Sequence, residues 1–334
     1  MSKQIGIPSR LLLAGAAAAF VLTWSSGFII AKIGTETAPV LTVLVWRFLV
    51  VGGLLLAGMA VLRLRSAPAA MPPWRDIRPH LTIGLFAQVG YVLPIYLAVA
   101  AGVSSGTTAL IDAVQPLLVA TLVGPILGLR VRAAQWVGLA LGALGVVLIV
   151  AADAAGSVSP TPAYLLPLAS LASLVTATFL QQRTTSRLGI FATMATHAAV
   201  ALVAVTVLGA LTGALVPPAS LGFWVTTVLI AVFPTLTAYA LYWYLLRRLG
   251  ITALNALLYL VAPTTAVAGA LLFGEPFTLA TLAGLVLGGA AVALVIAPAR
   301  GAASAEQEGM DGGGEVREAP DREAVHAARP EKPA

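Results

Sequence analysis

Residues 250–296 read GITALNALLYLVAPTTAVAGALLFGEPFTLATLAGLVLGGAAVALVI. An apolar run carries Pro263 at its middle and stops at Gly274, and a second apolar run then holds Gly284 and Gly288. The same order occurs earlier, between Gly102 and Val150, with Pro116, Gly128, Gly138 and Gly142. Gly128 to Gly274 and Gly142 to Gly288 are both separated by 146 residues, so an ungapped alignment pairs Gly138 with Gly284 and Leu141 with Leu287. The chain contains two copies of one unit.

Composition places that duplication in a membrane. Of 334 residues, 59% are hydrophobic and 10% charged, against roughly 25% charged in a soluble domain. With no cysteine there is no disulfide framework, thiolate metal site or redox motif. The net charge of +6 raises nucleic acid as a partner, but the basic residues punctuate apolar runs rather than clustering with aromatics, so no nucleic acid is expected. The expected partner surface is the lipid bilayer.

Ten segments approach the ~20 apolar residues a helix needs to cross a bilayer core. They are Leu11–Ala31, Leu44–Leu62, Leu81–Ala101, Ser105–Leu127, Ala133–Ala152, Ala163–Gln182, Ile190–Leu211, Leu221–Leu246, Ile251–Phe273 and Leu279–Ala297. The first follows Lys3 and Arg10 like a signal peptide, but it is too long and uninterrupted for one. The expected fold is an all-α integral membrane protein. Residues 1–10 form an N-terminal arm, and the five-helix repeats occupy residues 11–152 and 163–297.

Lys and Arg in short loops set the orientation, since positive loops stay in the cytoplasm. Every even-numbered helix exit is basic: Arg63, Arg65, Arg75 and Arg78, then Arg130 and Arg132, Arg183 and Arg187, Arg247 and Arg248, and Arg300. The opposite connections near Gly102, Asp153, Val216 and Glu275 have no Lys or Arg, and Lys32 alone breaks the rule. Both termini are therefore expected in the cytoplasm of a cell-membrane protein. Because each copy holds five helices, an odd number, the second enters from the opposite side. Inverted repeats put the binding site near the midplane between the halves.

Residues 300–334 change character, with five Lys/Arg, eight Asp/Glu and no apolar periodicity. Such a tail is expected to be disordered and cytoplasmic.

Three short motifs accompany this architecture: Trp24-Ser-Ser-Gly-Phe-Ile-Ile-Ala-Lys32, Arg47-Phe48, and Leu272-Phe-Gly-Glu-Pro276. Together with the repeats they resemble the EamA-type transporters of the drug/metabolite transporter superfamily, over residues 11 to 297. The resemblance implies a ten-helix carrier of small metabolites, often moving them outward. It also implies that the first four helices of each repeat surround a cavity while the fifth and tenth lie peripherally. One departure stands in the first repeat, where Leu129 and Arg130 replace the acidic residue that commonly follows the glycine.

Prolines point to the cavity independently of the family. Pro116 and Pro263 lie ~17–18 Å into the fourth and ninth helices at helical rise, close to the midplane from opposite sides. Pro94 in the third helix and Pro234 in the eighth form a second pair. Each proline removes a donor and frees a carbonyl at membrane depth. Trp24, Gln88, Tyr91, Tyr96, Gln115, Asn255 and Tyr259 offer hydrogen bonds and aromatic faces to a small-molecule substrate, although each could equally tie helices together. His197 reads as a packing histidine, and Glu275 as part of a turn.

Asp112 is the one carboxylate well inside a span. A charge there costs at least ~2.5 kcal/mol on insertion scales, so it must be paired, protonated or wet. Lys32 or Arg47 could neutralise it as a structural ion pair; alternatively, Asp112 exchanges a proton as coupling ion. Gly138/Gly142 and Gly284/Gly288 allow close helix approach, either within the chain or across a homodimer seam.

No cofactor or metal is expected, and an enzyme is disfavoured by the lack of HExxH, paired intramembrane carboxylates or a phosphate-cradling loop. A secondary transporter working by alternating access, an exporter with proton coupling, is the leading expectation. A facilitative channel or exchanger is the alternative. Reporter fusions at Val216 and at the C-terminus should report opposite compartments; identical signals would contradict the ten-helix inverted topology.

Overall fold

The computed structural model describes residues 7–65, 72–127, 133–156, 159–186 and 188–296. The tail 300–334 and the loop cations Arg130, Arg132 and Arg187 lie outside the described residues. Among the described residues, nine stretches are long and apolar enough to cross a membrane, and Leu279–Ala293 is a shorter apolar helix that supplies the tenth. The first and third spans are longer than expected. The first helix runs Ile7–Thr37 and the third begins at Trp74, because Pro73 in an extended conformation starts it and Asp76 occupies its first turn, favourable near a helix N-terminus.

In lipid, helix ends and breaks must satisfy their own backbone. Ser104 and Ser220 cap the fourth and eighth spans through their hydroxyls. Gly213 (φ 71°) and Gly274 (φ 66°) end the seventh and ninth in the left-handed conformation that glycine adopts most readily.

The matched breaks of the two repeats are π-helical turns. Leu85–Gly90 interrupts the third span and Ala231–Thr237 the eighth, and their starts are again 146 residues apart. Pro94 and Pro234 are only 140 apart, so they are not equivalent positions. Pro94 sits in the regular helix Tyr91–Ala100, whereas Pro234 lies inside its π turn. The Pro116/Pro263 pair also divides. The fourth span breaks at Val114, between the helices Ser105–Ala113 and Gln115–Leu127. Pro263 lies in the uninterrupted part of Ala238–Phe273, whose one non-helical residue is Gly250, the corner between the eighth and ninth spans.

The fifth helix, Ala133–Gly156, and the tenth, Leu279–Ile296, pack against each other. A Cβ at Gly284 would collide with Ile149 and the Gly145 carbonyl, and one at Gly145 with the Gly284 carbonyl. Gly145 and Gly284 are thus used for packing inside one chain. Gly284→Val should overpack this seam, a change that typically costs 1–3 kcal/mol, and lower Tm in detergent. Gly53→Ala, which enters open space, should leave Tm unchanged or raise it.

Candidate functional site

The eighth span supplies the wall from which the site is built. Pro234 has no N–H, which leaves the carbonyl four residues back, that of Ile230, without its helical donor. The next side chain takes that place: Thr235 Oγ1 donates to the Ile230 carbonyl at 2.9 Å. The same oxygen accepts a hydrogen bond from Arg47 Nη2 at 2.9 Å, and Arg47 Nη1 donates to the Tyr96 hydroxyl at 3.0 Å. The third span is held in the same way from outside, Ser170 donating to the Tyr91 carbonyl at 2.6 Å and Ser173 to the Phe86 carbonyl at 3.0 Å.

Between these two π-turned spans and the first helix lies a chamber of about 60 Å³, lined by Trp24, Gly27, Phe28, Arg47, Gln88, Tyr91, Tyr96, Pro234 and Tyr239 among others. Gly27 lets the first helix approach closely there, since a Cβ would meet the Pro234 side chain at 3.1 Å. Trp24 stacks on Tyr239 with ring centroids 5.7 Å apart, while the neighbouring Ser25 hydroxyl donates to the Val261 carbonyl of the ninth helix. The Trp24-to-Phe28 motif therefore faces the chamber with two aromatics and ties the helix down with the residue between them.

Gln88 and Tyr239 also line a second, wider space of about 420 Å³. Their mutual bond, 3.4 Å from Gln88 Nε2 to the Tyr239 hydroxyl, forms a thin septum. The wider space runs past His80, Thr178 and His197 to Gln181 and Gln182, which are exposed beside Arg183. The wider space thus leads toward the arginine-bearing face, and the Gln88–Tyr239 bond stands between it and the chamber. On the other face three spans are tied together. Glu275 accepts from Lys32 Nζ at 2.7 Å, from the Ser105 amide at 3.0 Å and from the Ser105 hydroxyl at 2.7 Å, which joins the first, fourth and ninth spans. The cavity beside that junction holds only about 10 Å³, room for about one water.

The charged residues are arranged differently from expectation. Lys32 pairs with Glu275: it stands in the last part of the first helix, which runs on to Thr37, and its amine reaches the residue after Gly274. Arg47 bonds two neutral hydroxyls, and among the described residues no carboxylate lies within 4.0 Å of it. Neither cation pairs with Asp112. Instead Asp112 Oδ2 accepts from the Tyr91 hydroxyl at 3.0 Å, and its Oδ1 is buried without a partner. The Arg47 Nε is likewise buried and unpartnered.

Four of the seven proposed contact residues, Trp24, Gln88, Tyr91 and Tyr96, line the chamber. The other three line neither space. Gln115 donates to Thr178 and ties the fourth span to the sixth. Tyr259 donates to the Leu285 carbonyl and lies over Gly288 and Gly289, whose missing side chains make room for its ring. Asn255, on the same helix, is half-buried away from the chamber. Among the prolines only Pro234 lines it. The fourth helix touches the chamber only through the Tyr91–Asp112 bond, and the ninth not at all.

Three participants escaped sequence reasoning. Thr235 and Tyr239 follow Pro234 closely, and a hydroxyl beside a helix break was the available signal. His80 was lost because the third span was begun one residue after it; its Nδ1 lies 3.3 Å from His197 Nε2, so His197 does not stand alone.

Comparison with known proteins agrees with this architecture. The model of the EamA-like transporter family matches residues 11–151 and 161–297, one match for each repeat. The protein named uncharacterized inner membrane transporter YedA is 32% identical over 152 residues in Escherichia coli strain K12 and likewise in strain O157:H7. The match covers 46% of this chain and 47% of that protein, so the chain spans about half the length of these curated relatives. One solved crystal structure, 20% identical, superposes with a TM-score of 0.56 over 86% of this chain and 98% of its own, and so shares the fold. With two family matches covering both five-helix units, the chain is a multi-pass membrane protein that belongs to the EamA-like transporter family.

Proposed function

We propose that the protein is a secondary carrier that exports a small organic solute across the cell membrane by alternating access, in exchange for protons carried on Asp112. One observation carries this reading: only the Gln88–Tyr239 bond separates the chamber between the repeats from the wider space that leads to the arginine-bearing face, while the Lys32–Glu275–Ser105 junction ties the spans together on the other. A pore would need continuity to both faces. With basic loops in the cytoplasm, the wider space faces the inside, where an exporter loads its solute.

Coupling runs through Tyr91. Its ring lines the chamber and its hydroxyl holds Asp112, so a solute that displaces Tyr91 also alters the surroundings of the carboxyl. Asp112 is neutral when a proton occupies it and carries an exposed demand for a partner when the proton leaves. Solute and proton then take turns, and rocking of one repeat against the other exchanges them across the membrane.

In everted vesicles, a counterflow screen of amino acids, nucleobases, cationic drugs and organic acids supplies a transported solute. Saturable, counterflow-stimulated flux is expected; linear flux without stimulation would indicate a channel. With that solute, Asp112→Asn should abolish uptake driven by a pH gradient and spare counterflow. Tyr91→Phe should lie between the two, retaining uptake at a several-fold lower rate. If Asp112→Asn still concentrates solute under a proton gradient, the carboxyl is structural and exchange is uncoupled from protons.

A further inference from the structure

Arg47 is a full positive charge inside a membrane span, 7% exposed, with no carboxylate beside it among the described residues. Its two terminal nitrogens bond neutral hydroxyls of Tyr96 and Thr235, and its Nε has no partner. Phe48 and Tyr96 place their rings 5.3 and 5.7 Å from the guanidinium carbon, which steadies the cation without neutralising it. Structural arginines in membranes are ordinarily paired with carboxylates or backbone carbonyls. This one is held rigidly by groups that leave its charge uncompensated, at the wall of the deep chamber.

We infer that Arg47 is the substrate counter-ion, and that the carrier's solute is an organic anion with a carboxylate head and an apolar, flat body. The inference rests on the transport reading above. A planar guanidinium with a free N–H is matched to carboxylate geometry. The deep chamber, about 60 Å³, accepts such a head group with little else. The body then lies past Gln88 and Tyr239, whose 3.4 Å bond is easily parted, in the wider space of about 420 Å³. Phe48, Tyr239, Tyr242 and Trp243 line that space and supply faces against which a flat apolar body packs. Exchange of a monoanion for one proton moves two charges per cycle, so an interior-negative potential assists export.

The test is a ligand-observed NMR titration of the full chain in nanodiscs with three probes of one shape: phenylacetate, phenylacetamide and phenethylamine. Phenylacetate should bind at least tenfold tighter than the neutral amide, with the amine weaker still. Arg47→Gln should remove that preference, bringing phenylacetate to the level of the amide. Arg47→Lys, which keeps the charge but loses the planar fork, should retain part of it; this variant and the parental comparison decide the matter if Arg47→Gln does not fold. The inference is overturned if the amide or amine binds as tightly as the acid, if none of the three binds, or if the preference survives in Arg47→Gln. Displacement of phenylacetate by equimolar chloride or phosphate would overturn the claim of an organic body. The transport reading has a separate outcome, because counterflow of a neutral or cationic solute would uphold it while sinking the anion.

Discussion

The structure depends on a requirement of lipid surroundings: every backbone carbonyl freed at membrane depth must find a donor. Pro234 frees the carbonyl of Ile230, Thr235 answers it, and the same hydroxyl oxygen then receives Arg47. A local defect in one helix is thereby converted into a fixed position for a charge on another. The π turn that accompanies it has a counterpart at Leu85–Gly90, where Ser170 and Ser173 of the sixth span perform the same service for carbonyls of the third. Irregular backbone of this kind is tolerated where it is buried in protein or lines a cavity, and π turns gather at functional sites. Both descriptions fit the chamber.

The two repeats share a backbone plan but differ at their ends. After Gly274 the second repeat places Glu275, whose carboxylate reaches the first N–H of the helix that begins at Ser105 and pairs with Lys32. At the equivalent place after Gly128 the first repeat has Leu129 and Arg130. An acidic junction of this type therefore arises from the second repeat and has no acidic equivalent in the first. That asymmetry of sequence accompanies an asymmetry of space: a cavity of about 10 Å³ beside Glu275, and one of about 420 Å³ that reaches Gln181 and Gln182 on the other face. The junction involves one ion pair and a few hydrogen bonds, a combination that can be made and broken without repacking the fifth and tenth helices, whose glycines interlock elsewhere.

Hydropathy and the 146-residue repeat were sufficient for the spans, their number and their pairing, because both are properties of one chain read along its length. The rotation of each helix about its axis was not legible. Trp24 and Tyr259 are both aromatic residues within spans, yet one walls the chamber and the other lies over Gly288 and Gly289; only the neighbouring helix distinguishes them. The same limit applies to Asp112, whose partner was sought among cations when it is the hydroxyl of Tyr91. Pro94 and Pro234 marked the correct spans but the wrong register, and Pro116 and Pro263 marked spans that do not line the chamber. A π turn is set by several carbonyls and their donors together, and the equivalence of Leu85 with Ala231 shows only in the folded backbone.

The central claim is that one chamber is served alternately by two faces, with Glu275 holding one of them shut. The chain has no cysteine, so spin labels can be attached at introduced cysteines without altering anything else. One pair, Glu36→Cys with Leu279→Cys, spans the repeats on the Glu275 face; the other, Arg75→Cys with Arg248→Cys, spans the arginine-bearing face, and all four positions are exposed. Double electron–electron resonance on both pairs, with Glu275 intact and with Glu275→Gln, is the most direct test. The account predicts that Glu275→Gln shifts the first pair toward longer distances and the second toward shorter ones, in the same fraction of molecules. Unchanged distributions, or lengthening on both faces at once, would contradict it.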